Sequence, residues 1–353
     1  MKLSMYSLTD QEILDKELPF VDVTKFICAL LVVTIHTNAM EDIHPLLNHV
    51  LVNYLARLAV PFFFISAGYF LFRKTDVSNL KQQVIIDFIK RIFRLYVVWS
   101  LIYLAPAISA ELKGGATFPQ AIAIWIKNFI FSGSYGHLWY LNALIVACLI
   151  NYVLIKQNVR VERILGISFV FYLIGLLGQS YYVLIRPVQS VPAIWNVILM
   201  IMNVISTTRD GLFEGWFFMA IGMYLAYRPL VLKKKTMVLS FVIVMALFFV
   251  EFIAVSHFDF ALSYDMYLFL GPAAFLLFYI AAHIKITGCK WKPTLRNLSS
   301  LVYYSHMWIV LLIPKAWHSL VRFGATAVVT CAFAVLLLKL RQYKCFGWIK
   351  WLL

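Results

Sequence analysis

Apolar runs long enough to cross a lipid bilayer recur along almost the whole chain. A helix needs about 20 apolar residues to cross the hydrocarbon core. The chain is 63% hydrophobic and 13% charged, whereas soluble domains are roughly half apolar and about a quarter charged. We therefore expect an all-α, polytopic membrane bundle of about ten transmembrane helices. The predicted spans are 20–39, 50–72, 84–108, 137–155, 163–185, 211–228, 236–256, 262–284, 298–314 and 319–340.

Two further segments are apolar without clearly spanning. Residues 118–131 resemble an interfacial helix, and residues 188–208 resemble a re-entrant or surface helix. No internal repeat or linker separates a second domain. We expect a single membrane domain over 20–341, with a cytoplasmic segment 1–19 before it and a cytoplasmic tail 342–353 after it.

The basic residues predict the orientation, because Lys and Arg concentrate in cytoplasmic loops. The termini and the loops after spans two, four, six and eight hold most of the 31 basic residues. The opposite loops hold only Lys113, Lys127, Arg186, Arg209, Lys315 and Arg322. This alternation predicts that both termini are cytoplasmic, in a bacterial inner or plasma membrane. It also assigns most of the net charge of +15 to topology and anionic lipid rather than to nucleic acid.

The first span carries charged residues, which are costly to place in the hydrocarbon core of a bilayer unless they are paired or hydrated. Asp22, Lys25 and His36 all lie within VDVTKFICALLVVTIHTNAM. Lys25 and His36 are eleven residues apart, which is close to three turns and about 16 Å along a helix. Both side chains then lie on one stripe, and Asp22 is spaced to pair with Lys25.

Two interpretations of this stripe stay open. Lys25 can snorkel to the headgroups while His36 packs between helices, as lone membrane histidines often do. Alternatively, His36 is a general base, since histidine takes up a proton near neutral pH. Glu41 and Asp42, at the end of the stripe, are candidates to orient the imidazole or the acceptor.

Five segments, in order, resemble signatures of the membrane acyltransferase-3 family. The first is Lys25, ten residues and His36, and the second is FFFISAGYFLFRK (62–74). The family's second-span motif commonly reads Ser-Gly-Phe, from which Ser66-Ala67-Gly68-Tyr69 departs. KRIFRLYVVW (90–99) resembles an Arg-x-x-Arg motif, HLWYLNAL (137–144) a His-Leu-Trp-Tyr-Leu motif, and LVYYSHMWIV (301–310) a late Tyr-x-x-His segment.

The resemblance implies an acyl-CoA-dependent O-acyltransferase. Such an enzyme moves an acyl group, for example acetyl, from cytoplasmic acyl-CoA to a hydroxyl of a cell-surface glycan or its lipid-linked precursor. Lys25, Arg91 and Arg94 are then expected to bind the polyanionic acyl-CoA, since arginines three apart can form a bidentate fork. Ordinary positive-inside charge is the alternative for the arginine pair. His36 is expected to take the proton of the attacking hydroxyl.

Candidate acceptor contacts lie on the opposite side of the membrane. His137, Trp139 and Tyr140 would form an aromatic platform with polar edges, together with Glu41 and Asp42. An interfacial aromatic belt is the alternative for Trp139 and Tyr140. A second tier of candidates comprises Ser66, Glu214 within an apolar run, and His306, whereas Arg209 and Asp210 are read as helix caps.

The sequence predicts no permanently bound cofactor and no metal site, with acyl-CoA as the co-substrate. Gly-rich phosphate loops, zinc-ligand spacings and Gly-x-Ser-x-Gly are absent from the sequence, so direct transfer is the simpler mechanism. The expected partners are acyl-CoA, a glycan or lipid-linked sugar, and membrane lipids, without nucleic acid.

A transporter is the alternative from a different functional class. Similar membrane modules occur fused to the serine racemases of vancomycin resistance, where serine supply is the suggested role. The polar stripe would then conduct serine, another small polar solute or protons. Transporters commonly carry paired broken helices in two repeated halves, and no such repeat is evident. A scaffold without chemistry would explain the spans but not Lys25 and His36 within them.

Overall fold

Helices make up most of this computed structural model, which describes residues 3–5, 18–75, 81–228, 230–286 and 292–353. The all-α prediction is confirmed, with one pair of three-residue antiparallel strands, β1 (Leu3–Met5) and β2 (Ile284–Ile286), among the described residues. The expectation for segment 1–19 falls mostly outside the described residues. The helices are α1 Pro19–Thr37, α2 Pro45–Phe72, α3 Gln82–Ile102, α4 Leu104–Lys113, α5 Phe118–Phe131, α6 Trp139–Lys156, α7 Val161–Leu177, α8 Pro192–Ile205, α9 Trp216–Tyr227, α10 Lys234–His257, α11 Leu270–His283, α12 Lys292–Leu312 and α13 Ser319–Leu340.

Each predicted span overlaps a helix, but fewer helices meet the length and composition of a membrane span. In the described part of the chain, five helical stretches do, or up to seven if each of two bent pairs is one span. The five are Pro19–Thr37, Pro45–Phe72, Phe118–Lys156 (α5 and α6 together), Lys234–His257 and Ser319–Leu340. The chain is a multi-pass membrane protein, and the count of ten spans stays a prediction.

The third and fifth predicted spans are bent rather than continuous. α3 and α4 meet at 53°, and Pro106, near the start of α4, has no N–H for the carbonyl group of Ile102. α7 ends at Leu177, and the chain turns by 80° into short 3₁₀ turns. A Cβ atom on Gly178 would lie 2.7 Å from Thr208 Oγ1, so this turn requires glycine.

The eighth predicted span begins at Leu270 and not at residue 262. The hydroxyl group of Tyr172 donates to the carbonyl oxygen of Tyr267 at 2.6 Å, and Ser180 donates to the carbonyl oxygen of Met266. These side-chain bonds hold residues 266–267 outside a helix.

The chain divides into two compact units. The first comprises Met1–Ser66, Arg228–Phe252 and Phe269–Leu353, and the second comprises Ala67–Tyr227 and Ile253–Leu268. In the first unit, α1 packs against α11, α12, α13 and the start of α2. In the second, α9 packs against α6 and α7, and α3 packs against α6. The predicted site residues are therefore distributed over two cores.

Candidate functional site

In the first unit, α1 and α12 bring His36 and His306 into contact. Their ring centroids lie 5.2 Å apart, with the ring planes inclined at 39°. His306 is fully buried, whereas His36 is half-buried. Two imidazole rings therefore form the centre of the candidate site in this unit.

The surroundings of His306 define its tautomer. Its Nδ1 atom lies 2.7 Å from the carbonyl oxygen of Tyr303 and 3.2 Å from that of Val302. A carbonyl oxygen can only accept, so Nδ1 carries the hydrogen and Nε2 keeps the lone pair. The Tyr303 ring lies 6.2 Å from the His306 ring and 5.7 Å from the Phe63 ring.

α1 is unbroken from Pro19 to Thr37, so Lys25 and His36 share one side of it, three turns apart. Its threonines satisfy their own hydroxyl groups, because each donates to the carbonyl oxygen four residues earlier. These bonds measure 2.8 Å for Thr24, 3.0 Å for Thr34 and 2.9 Å for Thr37. Such local bonds allow polar side chains on a helix in hydrocarbon. The left-handed residue Asn38 then ends the helix.

Asp22 has a partner that the sequence did not reveal. Both carboxylate oxygens of Asp22 accept from Arg296 of α12, at 3.2 Å and 3.0 Å. Asp22 is buried. In the sequence, Arg296 lies in the predicted loop after the eighth span, and no local spacing pairs residues so distant in the chain.

The loop after α1 ties Asp42 to the first turn of α13. The backbone N–H of Ser319 donates to Asp42 at 2.7 Å, the Ser319 hydroxyl group donates as well, and His318 Nδ1 lies 3.7 Å away. The hydroxyl bond of Ser319, with smaller contributions from its N–H group and from His318, holds the pKa of Asp42 below its ordinary value. Glu41 is exposed. An orienting role for Asp42 or Glu41 toward His36 stays a prediction.

Arg91 and Arg94 belong to the second unit, on α3. Their spacing of three residues places both on neighbouring positions of one helix side. Arg91 is exposed, with its guanidinium 5.9 Å from the centre of the Phe88 ring, and Arg94 is half-buried. The pair can offer two guanidinium groups to one polyanion.

The predicted aromatic platform is packed inside the second unit. His137, Trp139 and Tyr140 are all buried. The Tyr103 ring meets the His137 ring edge-on at 4.9 Å. The three side chains therefore belong to a core, where Trp139 and Tyr140 need not form an interfacial belt.

Arg209 is an ion-pair residue and not a helix cap. Its guanidinium lies 5.0 Å from the centre of the Trp139 ring, and its Nη1 lies 3.2 Å from Asp265 Oδ1. Ser263 Oγ donates to the other carboxylate oxygen of Asp265 at 2.7 Å. This charged cluster adds a cation to one side of Trp139.

Asp210 and Glu214 lie at the entry of α9. Asp210 accepts from the N–H groups of Leu212 and Phe213, at 2.9 Å and 2.8 Å, so its predicted capping role is confirmed. Burial raises the pKa of Asp210 to about 6, although these two hydrogen bonds act in the opposite direction. Glu214 is buried within the π turn Gly211–Gly215, and such turns are frequent at functional sites.

The second-span motif is explained by packing. Ser66 is fully buried in α2. A Cβ atom on Gly68 would lie 2.3 Å from the carbonyl oxygen of Met219, so only glycine allows α2 and α9 to approach this closely.

Comparison with known families decides the class of the protein. A profile described as the acyltransferase domain matches residues 18–339. The chain belongs to this family. The resemblance seen in the five sequence motifs is thereby confirmed, and the His36–His306 pair lies inside an acyltransferase domain.

The curated proteins that this acyltransferase-family chain resembles are named racemases and not acyltransferases. Two amino-acid racemases of Enterococcus faecalis are each 29% identical to it. The first match extends over 289 residues, which is 82% of this chain and 39% of that racemase. The second extends over 339 residues, given as 91% of this chain and 46% of that racemase. A serine/alanine racemase of Enterococcus gallinarum is 26% identical over 298 residues, 83% of this chain and 40% of that protein. The chain spans less than half the length of these relatives, and no solved structure matches it.

Proposed function

We propose that the protein transfers an acyl group from cytoplasmic acyl-CoA to a hydroxyl group of an envelope glycan or its lipid-linked precursor. The observation that carries the proposal is the contact of His36 with His306 inside an acyltransferase domain. A half-buried imidazole beside a fully buried one supplies a proton acceptor whose ring is held in place. O-acetylation of a surface polysaccharide is the simplest instance.

In this reaction, His36 takes the proton of the acceptor hydroxyl as its oxygen attacks the thioester carbonyl carbon. The C–O bond forms, the C–S bond breaks, and CoA leaves as a thiolate that recovers the proton from His36. His306 is a positioning residue, because its Nδ1–H donates to backbone carbonyls and its ring contacts the ring of His36. The chain's own residues thus supply both the base and its orientation.

The residues that bind the donor and the acceptor are assigned from the sequence motifs and from the distribution of charged residues. We propose ten spans with cytoplasmic termini in a bacterial inner membrane. In this topology Arg91 and Arg94 lie on the cytoplasmic side, where acyl-CoA is found. These arginines, in the second unit, bind its phosphates. In the first unit, Lys25 is assigned to acyl-CoA as a cation on the His36 stripe. The acceptor reaches His36 in the first unit, where Glu41 and Asp42 are the residues assigned to its contacts.

The donor assignment is tested with labelled acetyl-CoA and purified protein in nanodiscs. Arg91→Ala or Arg94→Ala is expected to weaken saturable binding about tenfold, since each removes a charge-assisted contact. Arg163→Ala is the matched control, because Arg163 is an exposed arginine near the start of α7. Unchanged binding in both α3 variants, or equal loss in the control, would remove the arginine pair from the donor site.

The base assignment is tested by turnover. His36→Ala is expected to keep acetyl-CoA binding and to lose about 10²–10⁴-fold in kcat. His306→Gln keeps the base but not its orientation, so we expect a smaller loss in kcat, an altered pH profile and an unchanged KM for acetyl-CoA. His257→Gln, at an exposed histidine, is the control. Normal transfer by His36→Ala would contradict the mechanism.

Transport of a small polar solute is a second candidate, because the matches to amino-acid racemases cover 82% and 91% of this chain. A membrane module that supplies an amino acid to a racemase would not need acyl-CoA. Uptake of labelled serine into proteoliposomes, together with no binding of acetyl-CoA, would favour transport over acyl transfer.

A further inference from the structure

The helix that follows the last spanning helix has three chemically distinct sides, none of which the proposed acyl transfer uses. This tail helix, Lys344–Leu352, is of the 3₁₀ type and kinks at Phe346. A 3₁₀ helix has three residues per turn, so residues three positions apart lie on the same side. The tail helix therefore has three rows of side chains, one at positions 344, 347 and 350, one at 345, 348 and 351, and one at 346, 349 and 352.

One row packs on the protein, and a second row is an exposed aromatic surface. Ile349 and Leu352 are buried, and Phe346 is half-buried, so this row fixes the tail helix to the first unit. In the second row, Trp348 is 54% exposed and Trp351 is 46% exposed. Two large aromatic side chains of one row thus point away from the core.

The third row is cationic. Lys344 and Lys350 are exposed, as are Lys339 and Arg341 at the end of α13. The ion pairs of the described residues use none of these four cations. Positive charge therefore accumulates at this end of α13 without a compensating carboxylate among the described residues.

The nearest acidic groups in the fold do not cancel this charge. The sequence has no acidic residue after Asp265, so α11, α12, α13 and the tail helix carry none. The start of α1 lies toward the same end as the tail helix, because the loop after α1 binds Ser319 at the opposite end of α13. The carboxylate near that start, Asp22, is engaged by Arg296.

The tail helix begins where a membrane span ends. α13 is long and apolar enough to cross a bilayer, and it ends at Leu340. The N–H group of Tyr343 donates to the carbonyl oxygen of Leu340 at 3.0 Å, so the connection is a closed turn. Four residues extend at most about 14 Å, which places Lys344 in or beside the headgroup layer that borders the hydrocarbon core.

We infer that the tail helix lies in the headgroup layer and binds anionic phospholipid. Trp348 and Trp351 point toward the acyl chains, since indole rings favour the membrane interface. Lys344 and Lys350 bind lipid phosphates, since lysines beside an anionic surface are attracted to it. A second copy of the chain would bring an identical cationic row, which repels this one. The inference does not depend on the proposed acyl transfer.

Photo-crosslinking in intact cell membranes identifies the occupant of the tryptophan row. Trp348→benzoylphenylalanine keeps a large aromatic side chain and is expected to form adducts of phospholipid mass, measured by mass spectrometry of the intact protein. The same substitution at Val328, which is 68% exposed within α13, is the control for a lipid-facing position. Adducts mainly with a second copy or with another protein, or no lipid adduct where Val328 gives one, would overturn the inference.

The orientation of the tail helix is tested at a neighbouring position on the cationic row. Gly347→benzoylphenylalanine has room, because nothing lies within 4 Å of an added Cβ atom. Its adducts on acyl chains are expected to be at least about threefold fewer than those at Trp348, because only the tryptophan row reaches the acyl boundary. Phospholipase digestion separates acyl-chain adducts from headgroup adducts. Equal acyl-chain yields at the two positions would overturn the orientation.

The lipid charge is tested in nanodiscs of phosphatidylglycerol and of phosphatidylcholine. In the Trp348→benzoylphenylalanine protein, Lys344→Gln with Lys350→Gln is expected to lower the lipid-adduct yield at least about threefold in phosphatidylglycerol but not in phosphatidylcholine. Arginine at both positions should keep the yield, which separates charge from misfolding. Lys234→Gln with Lys235→Gln removes the same charge from the exposed start of α10 and is the control. A yield that the glutamines leave unchanged in phosphatidylglycerol, or an equal loss in the control, would overturn binding of anionic lipid.

Discussion

Asp22 of α1 and Arg296 of α12 form a two-point ion pair, at 3.2 Å and 3.0 Å, between residues 274 positions apart in the sequence. The same two helices carry His36 and His306, whose rings are in contact nearer their other ends. The two contacts require α1 and α12 to run parallel. The predicted topology has the same consequence, because successive spans cross the membrane in alternating directions and the first and ninth spans therefore share one direction. The ion pair therefore sets the axial register in which the two histidines meet.

Asp22→Asn is expected to lower the free energy of unfolding by roughly 1–2 kcal/mol. The loss is smaller than for a fully buried pair, because the Arg296 side chain is 53% exposed while that of Asp22 is 3% exposed. Denaturant unfolding in detergent measures the change. Asp259→Asn, in the exposed pair with Arg186, is the control and is expected to have almost no effect. Equal losses in the two variants would contradict the argument.

Asp42→Asn is expected to remove an acid-sensitive contribution to stability. Because the hydrogen bonds from Ser319 lower the folded pKa of Asp42, its contribution is present above the unfolded pKa of 3.8 and is lost as the pH falls through the lower folded value. The difference in Tm between the wild type and the variant should therefore shrink below about pH 4. Thermal unfolding from acidic to neutral pH tests this, with Glu41→Gln as the exposed neighbour. A difference that is constant with pH would disprove it.

Asp210→Asn is expected to change the pH dependence of the free energy of unfolding in the sense opposite to that of Asp42→Asn. The folded pKa of Asp210, about 6, lies above the unfolded value of 3.8, so the contribution of this group is fully present below 3.8 and is lost as the pH rises through about 6. Asparagine keeps the cap without ionising. Between pH 4 and pH 7, the wild type should lose up to roughly 2–3 kcal/mol relative to the variant. Parallel unfolding curves across that range would contradict the prediction.

Gly68→Ala is expected to destabilise the second unit by roughly 1–3 kcal/mol or more, because the new methyl group would meet the carbonyl oxygen of Met219. Gly166→Ala is the matched control within α7, where nothing lies within 4 Å of the added atom. That substitution should stabilise its helix by about 0.5–1 kcal/mol. Thermal unfolding of the two variants measures the contrast, and a neutral Gly68→Ala would refute the close-packing argument.

Some features of the site were predictable because they are local. The eleven-residue spacing of Lys25 and His36 needs only an unbroken helix, and α1 is one. The capping role of Asp210 likewise depends on residues two and three positions away.

Local pattern determined that the chain is helical, where its apolar helices lie and which family it belongs to, because periodicity, apolar length and short motifs are properties of neighbouring residues. Only the tertiary structure decided that Asp22 binds Arg296, that His36 meets His306 and that Asp42 binds Ser319. Those choices depend on which helix faces pack together. Packing brings together residues hundreds of positions apart, for which the chain carries no local signal.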